Sequence, residues 1–268
     1  MDRSLLKNII IIILVLVNVF LLASLLLRQN SALHSQRQTE EQLIELFAAD
    51  GMTLEKKALS QKTPPPSFVL NRSIAREREA AAFFLGSNLI QEDQGGGTYT
   101  YTGDSGVARF RSNGSFEMAG TLAAEDVESF CRSFCKSFSY DTPVFDLDEN
   151  GNGTATAVCM SQDLPVFNSS ITFTVHHGDL LTVSGTLLPQ EGASVVSEVT
   201  PLSASAALTT FQNARRESGA VVSAVLELNP CYELQSSSAL TLIPSWRITT
   251  DTINYYVNCI SGAVTAAK

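Results

Sequence analysis

The chain is poor in the residues that most activities need. It has 18 Lys and Arg against 27 Asp and Glu, a net charge of -9, and no cluster of basic residues. A phosphate-binding face needs such a cluster, so nucleic acid is excluded as a partner, and the acidity also opposes adsorption to an anionic bilayer surface. There are three histidines, with no Cys-x-x-Cys and no His-Glu-x-x-His, so neither a structural metal nor a cofactor is expected. The one upstream histidine that could serve the Gly-Asp-Ser-Gly of "TGDSGV" (Gly103–Gly106) is His34, far from it in sequence. A serine nucleophile without a positioned base does no chemistry, so the motif reads as a turn between "YTYT" and "VARF".

What the chain does have is an uncharged run, "NIIIIILVLVNVFLLASLLL", over residues 8–27. At ~1.5 Å per residue it matches the ~30 Å hydrocarbon core of a bilayer. It exceeds the ~7–15 residues of a signal-peptide core and no A-x-A site follows, so an uncleaved anchor is expected. Asp2, Arg3 and Lys7 give the first 27 residues a net +1 and leave -10 for the rest. The short tail, residues 1–7, is expected in the cytoplasm and the remainder outside it. Asn18, near the midplane, would seek a hydrogen-bonding helix, with Phe20, Ala23 and Ser24 as candidate neighbours in that contact; the alternative is an Asn tolerated in lipid without a partner.

Residues 28–66 read as a stalk helix followed by a proline-rich spacer. Leu43, Ile44, Leu46 and Phe47 form an apolar stripe, Gly51 stops the helix, and Pro64–Pro66 enforce an extended chain. Residues 67–120 read as a small α+β module with one helix, about three strands and an Asn113-Gly114 turn. Beyond it an approximate repeat covers 121–190 and 201–268, joined by a linker at 191–200. Each copy is a helix followed by strands, and Val183-Ser184-Gly185 and Ile260-Ser261-Gly262 stand 77 residues apart. The fold class is α+β. Alternation places Leu240, Leu242, Trp246 and Ile248 on one face of a strand, and Ile253, Tyr255, Val257 and Cys259 on one face of the next. The only tryptophan therefore reads as core.

Two further patterns suggest metals and are set aside. "DLDENG" (Asp146–Gly151) starts like a calcium loop, but Ala157 stands where the bidentate Glu belongs. His176 and His177 are adjacent in a strand and point to opposite faces. Five cysteines leave at least one thiol unpaired. Cys131 and Cys135 lie one helical turn apart and read as core, and Cys231 with Cys259 is the first candidate for a disulfide. The sequons at Asn71, Asn113, Asn152 and Asn168 matter only in a eukaryotic secretory pathway.

The last hairpin, "PSWRITTDTINYYVNCISGAV", resembles PepSY-like domains, making 121–190 and 201–268 tandem PepSY-like modules. Together with "LVNVFLLASLL" in the anchor and "FFLG" before a Gly-rich "YTYT" strand, the chain resembles the YycH/YycI family, at this length its YycI branch. That resemblance implies a non-enzymatic membrane protein acting on the YycG (WalK) sensor histidine kinase of Gram-positive bacteria. Its expected partners are the kinase's transmembrane helices, a YycH-like co-regulator and membrane lipid. A second reading makes the PepSY-like units a binding or inhibitory module for a secreted or cell-wall hydrolase.

Overall fold

The computed structural model describes residues 13–22, 38–59, 62–122, 127–189, 194–196, 199–236 and 239–267. The fold is mixed α+β, with one large sheet. Residues 38–49 form α1, followed by β1 (Thr53–Leu54) and β2 (Ser67–Leu70). Three similar units come next, each a helix followed by four strands. The first is α2 (Ile74–Leu85) with β3 (Ile90–Asp93), β4 (Thr98–Gly103), β5 (Gly106–Arg111) and β6 (Ser115–Leu122). The second is α3 (Val127–Phe138) with β7 (Val144–Leu147), β8 (Gly153–Ser161), β9 (Leu164–His176) and β10 (Asp179–Thr186). After β11 (Ser194–Val196), the third is α4 (Ala204–Ser218) with β12 (Ala224–Ser236), β13 (Leu240–Thr250), β14 (Asn254–Asn258) and β15 (Val264–Ala266). In every unit the four strands pair antiparallel in chain order.

The helices follow from local chemistry. Ser73 and Ser203 cap α2 and α4 by accepting from the N–H of Arg76 and Ala206, each at 3.3 Å. In α3 the spacing of Cys131, Phe134, Cys135 and Phe138 buries one face. That helix ends where Ser139 turns left-handed (φ 61°) and the Tyr140 N–H reaches back to the Cys135 carbonyl.

Units one and two share a sheet because their last strands pair, with Met118 opposite Val183 and Phe116 opposite Gly185. The resulting order β3-β4-β5-β6-β10-β9-β8-β7 is symmetric about that pair. Helices α2 and α3 touch through Phe83, whose ring lies 5.3, 5.4 and 5.8 Å from those of Phe130, Phe134 and Phe138, all edge-on. Such pairs add ~0.5–1.5 kcal/mol each beyond their burial. Where β4 turns into β5, a Cβ on Gly106 (φ 151°) would sit 2.1 Å from the Ala119 carbonyl oxygen. The Gly-Asp-Ser-Gly sequence is thus a hairpin turn that only glycine can close.

The third unit is built on a long β12–β13 ribbon. Its Tyr232, Leu240 and Leu242 belong to the core of units one and two, and its Leu228, Trp246 and Ile248 to a second core. The outer neighbours of the ribbon change along its length. On the β13 side β2 covers Leu240–Leu242 and β14 covers Ser245–Thr249; on the β12 side β1 covers Ala224–Val225 and β9 meets Tyr232. Pro244 and Pro230 stand at these changes of neighbour, where a strand can lack an N–H without losing a ladder bond. The Pro244 carbonyl still accepts from Cys259 N–H at 2.9 Å.

The second core also takes in the stalk. Leu43 and Phe47 of α1, then Met52, Leu54 and Ala58, are buried against Leu208, Phe211 and Trp246. Ile44, in the expected apolar stripe, is instead 42 % exposed. Strand β1 runs parallel to β12, with Thr53 opposite Ala224. At the end of α1, Asp50 accepts hydrogen bonds from Gln212 Nε2, from Arg215 at 3.2 Å and from Arg216 Nε at 2.5 Å.

Candidate functional site

Among the described residues a concavity of about 950 Å3 lies between unit two on one side and β2 with the chain after β10 on the other. Its two walls differ in chemistry. Phe68, Leu70, Leu188 and Pro189 make one wall, which carries no charge, and unit two supplies the other with Arg132, Lys136, Asp141 and Asp163. Cys135, Tyr140 and Met160 complete the lining from unit two.

Backbone geometry concentrates here. Among the described residues, Ser139, Gln162, Asp163 and His177 are the non-glycine residues with positive φ, and the first three line the groove. Gln162 and Asp163 (φ 51° and 62°) form the two-residue turn of the β8–β9 hairpin, in the conformation that matches strand twist. The turn holds Asp163 out at the rim. Arg132 is steadied by Glu128 at 3.3 Å and by the Phe145 ring, 5.3 Å away. Lys136, one turn later, and Asp163 have no ion-pair partner among the described residues.

The thiols beneath the groove are not nucleophiles. Burial pushes Cys135 and Cys159 up to about 12, and Cys159 donates to the Thr186 carbonyl. Tyr140 is likewise raised by burial, its hydroxyl donating to the Thr186 carbonyl at 2.7 Å.

One irregularity in β9 joins units two and three. The register with β8 jumps from Val158↔Ser170 to Cys159↔Val166, leaving Phe167, Asn168 and Ser169 as a bulge. Phe167 stacks on Tyr256 of β14, centroids 3.8 Å apart and planes 8° apart. The Asn168 side chain donates to the Leu234 carbonyl and accepts from its N–H, both at 2.8 Å, so it acts as an extra peptide unit for β12. The sequence marks Asn168 only as a sequon; the signal for the bulge was an Asn-Ser-Ser run inside an otherwise apolar strand.

The residues singled out from sequence fall as follows. Asn18 and Phe20 lie in an exposed helical stretch, residues 13–22, whereas Ala23 and Ser24 lie outside the described residues, as do His34 and the ends of the 8–27 run. No helix among the described residues is long and apolar enough to cross a membrane. The bridge expected between Cys231 and Cys259 is not formed, and all five cysteines are free. Cys231 lies opposite Ser245 on one face of the sheet, while Cys259 lies beyond β13 with Trp246 on the other face. Two strand spacings, ~9–10 Å, exceed the ~7 Å a disulfide spans. Instead the Cys231 thiol points to the Ser245 carbonyl, 3.4 Å away.

At the β7–β8 turn Asp148 accepts from Asn150 N–H and Asn152 N–H, and these bonds, those of Asn152 first, hold its carboxyl below the ordinary range. Ala157 points into the core. Among the described residues no group of three or more His, Cys, Asp or Glu is placed to hold a metal ion.

No protein-family model matches the chain, and no curated protein matches its sequence. Solved structures match in shape. An uncharacterized protein from Eubacterium rectale is 10% identical over 81% of this chain and 90% of its own, with a TM-score of 0.42. The Bacillus megaterium YpeB C-terminal domain is 10% identical over 74% of this chain and 99% of its own, with a TM-score of 0.33. Likeness at this level assigns neither a family nor an activity.

Proposed function

We propose that the protein is a non-enzymatic, single-pass membrane regulator, N-terminus in the cytoplasm and PepSY-like ectodomain outside. It would act on a sensor histidine kinase of the YycG (WalK) type through helix–helix contact in the membrane, with the ectodomain held by a YycH-like partner. One observation supports this reading above others: α1, the segment next to the apolar run, is built into the core of the third unit through Leu43 and Phe47. The chain that follows the apolar run thus enters the ectodomain through its third unit. A differential binding energy of ~1–3 kcal/mol between two kinase states is enough to change output several-fold or more.

The test is a photoreactive residue in place of Asn18, with crosslinking in the native host and mass spectrometry. Recovery of a sensor-kinase or co-regulator helix is expected; lipid adducts alone would overturn the reading. The groove favours a second reading, a PepSY-type module that binds or inhibits a secreted or cell-wall hydrolase. A soluble form beginning at residue 38 separates the two: it would keep inhibiting a hydrolase but lose control of a kinase.

A further inference from the structure

The groove has the charge layout of a peptide site. Its uncharged wall of Phe68, Leu70, Leu188 and Pro189 suits a large apolar side chain, and about 950 Å3 falls at the upper end of the ~300–1,000 Å3 of ordinary ligand sites. The facing wall carries two cations on successive turns of α3, Arg132 and Lys136, and two carboxylates at separate points, Asp141 and Asp163. These charges come from three places in unit two: α3, the segment after it and the β8–β9 turn. A phosphate or a lone carboxylate would meet repulsion from the aspartates, and an acyl chain would desolvate all four groups without replacing their hydration. An occupant that complements both walls carries an apolar side chain on one edge and charges of both signs along the other.

We infer that this groove docks a short peptide segment of a protein partner, with a large apolar residue against Phe68 and Leu70, an acidic residue toward Lys136 and a basic residue toward Asp163. Two features favour a formed site over a site made on binding. The Asp163 turn is fixed by its left-handed hairpin conformation, and Arg132 is already held by Glu128 and Phe145. Lys136 and Asp163, lacking ion-pair partners among the described residues, give up none to bind. The inference stands apart from the regulator reading, since a peptide could dock here whichever protein supplies it.

The test is fluorescence anisotropy on the full chain in lipid nanodiscs. The probes are labelled synthetic hexapeptides with a leucine pair flanked by one glutamate and one lysine, beside a charge-free leucine control. Saturable binding in the micromolar range is expected, at least tenfold tighter than the control. Lys136→Glu should weaken it about tenfold, and replacing the peptide's glutamate by lysine should restore it. Thr142→Trp, on the exposed rim, should block every probe. Both substituted side chains are exposed, and unchanged far-UV ellipticity confirms that each variant is folded. No saturable binding, equal binding of the control, or binding indifferent to both substitutions would overturn the inference.

Discussion

Replacing Phe47 by Ala tests the joint between stalk and third unit. The Phe47 side chain is wholly buried, in the same core as Trp246. Removing a buried phenyl ring costs ~3–5 kcal/mol, the loss of transfer energy plus the cavity left behind. Trp246 is the only tryptophan, is fully buried, and donates from Nε1 to the Leu202 carbonyl at 2.9 Å, so its emission reports on this core alone. With a urea dependence of ~2–3 kcal/mol/M, the emission midpoint should fall by about 1–2 M. Ile44→Ala is the matched control: it sits on the same helix but is 42 % exposed, and it should change stability by no more than ~0.5 kcal/mol. If Phe47→Ala moves the midpoint no further than Ile44→Ala, α1 is not part of the core and the main support for the regulator reading is lost.

Three other outcomes follow from the same geometry. Asp50, held below its ordinary value chiefly by the Arg216 hydrogen bond, stabilises the fold above the unfolded carboxylate value of ~3.9 and loses that contribution as pH falls through the lower folded value. Thermal midpoints of wild type and Asp50→Asn should therefore converge below about pH 4 and in high salt; a gap unchanged between pH 7 and pH 3 would refute the ion pairs. Asn168→Ala removes two hydrogen bonds worth ~0.5–1.5 kcal/mol each and should speed hydrogen exchange at the Leu234 amide, while Asn168→Asp keeps the acceptor and should lose less protection. Iodoacetamide at pH 8 should label none of the five thiols in the native protein and all five in urea, since burial pushes Cys135, Cys159 and Cys259 up to about 12. A Cys231–Cys259 linked peptide would contradict the strand order.

The elements that sequence made legible are those with a dense apolar period. Helix α3 follows from its phenylalanines and cysteines, and α4 begins 77 residues after it, the offset visible in the sequence. The Ser-Gly landmarks at that offset are not equivalent, because Val183–Gly185 lie in a strand and Ile260–Gly262 in a turn. Strands β3 and β7 were not legible: both are four-residue strands at the edge of the sheet, β3 is exposed throughout, and β7 alternates over too few residues, with only Phe145 and Leu147 half-buried against the core. The sequence divides β12 at Pro230, since proline breaks most strands, but here it faces a change of neighbours. The groove and the α1 joint bring together residues far apart in the chain, such as Phe68 and Tyr140 in the groove lining or Asp50 and Arg216 in an ion pair, and no local pattern encodes those. Trp246 was legible as core, though not that its core would include the stalk.

The joining of α1 to the third unit also bears on biosynthesis. Asp50 and Gln212 are 162 residues apart, so α1 has no partner in the third unit until α4 has been made. At ~5–20 residues per second that wait is on the order of 10–30 s, with Leu43 and Phe47 exposed outside the ribosome. The helices and shared sheet of units one and two can close in the meantime, although Tyr232, Leu240 and Leu242 complete their core only later. A chain ending before α4 would still present the paired strands of units one and two, but with α1 bare, a mark by which a protease or chaperone could tell an unfinished molecule from a complete one.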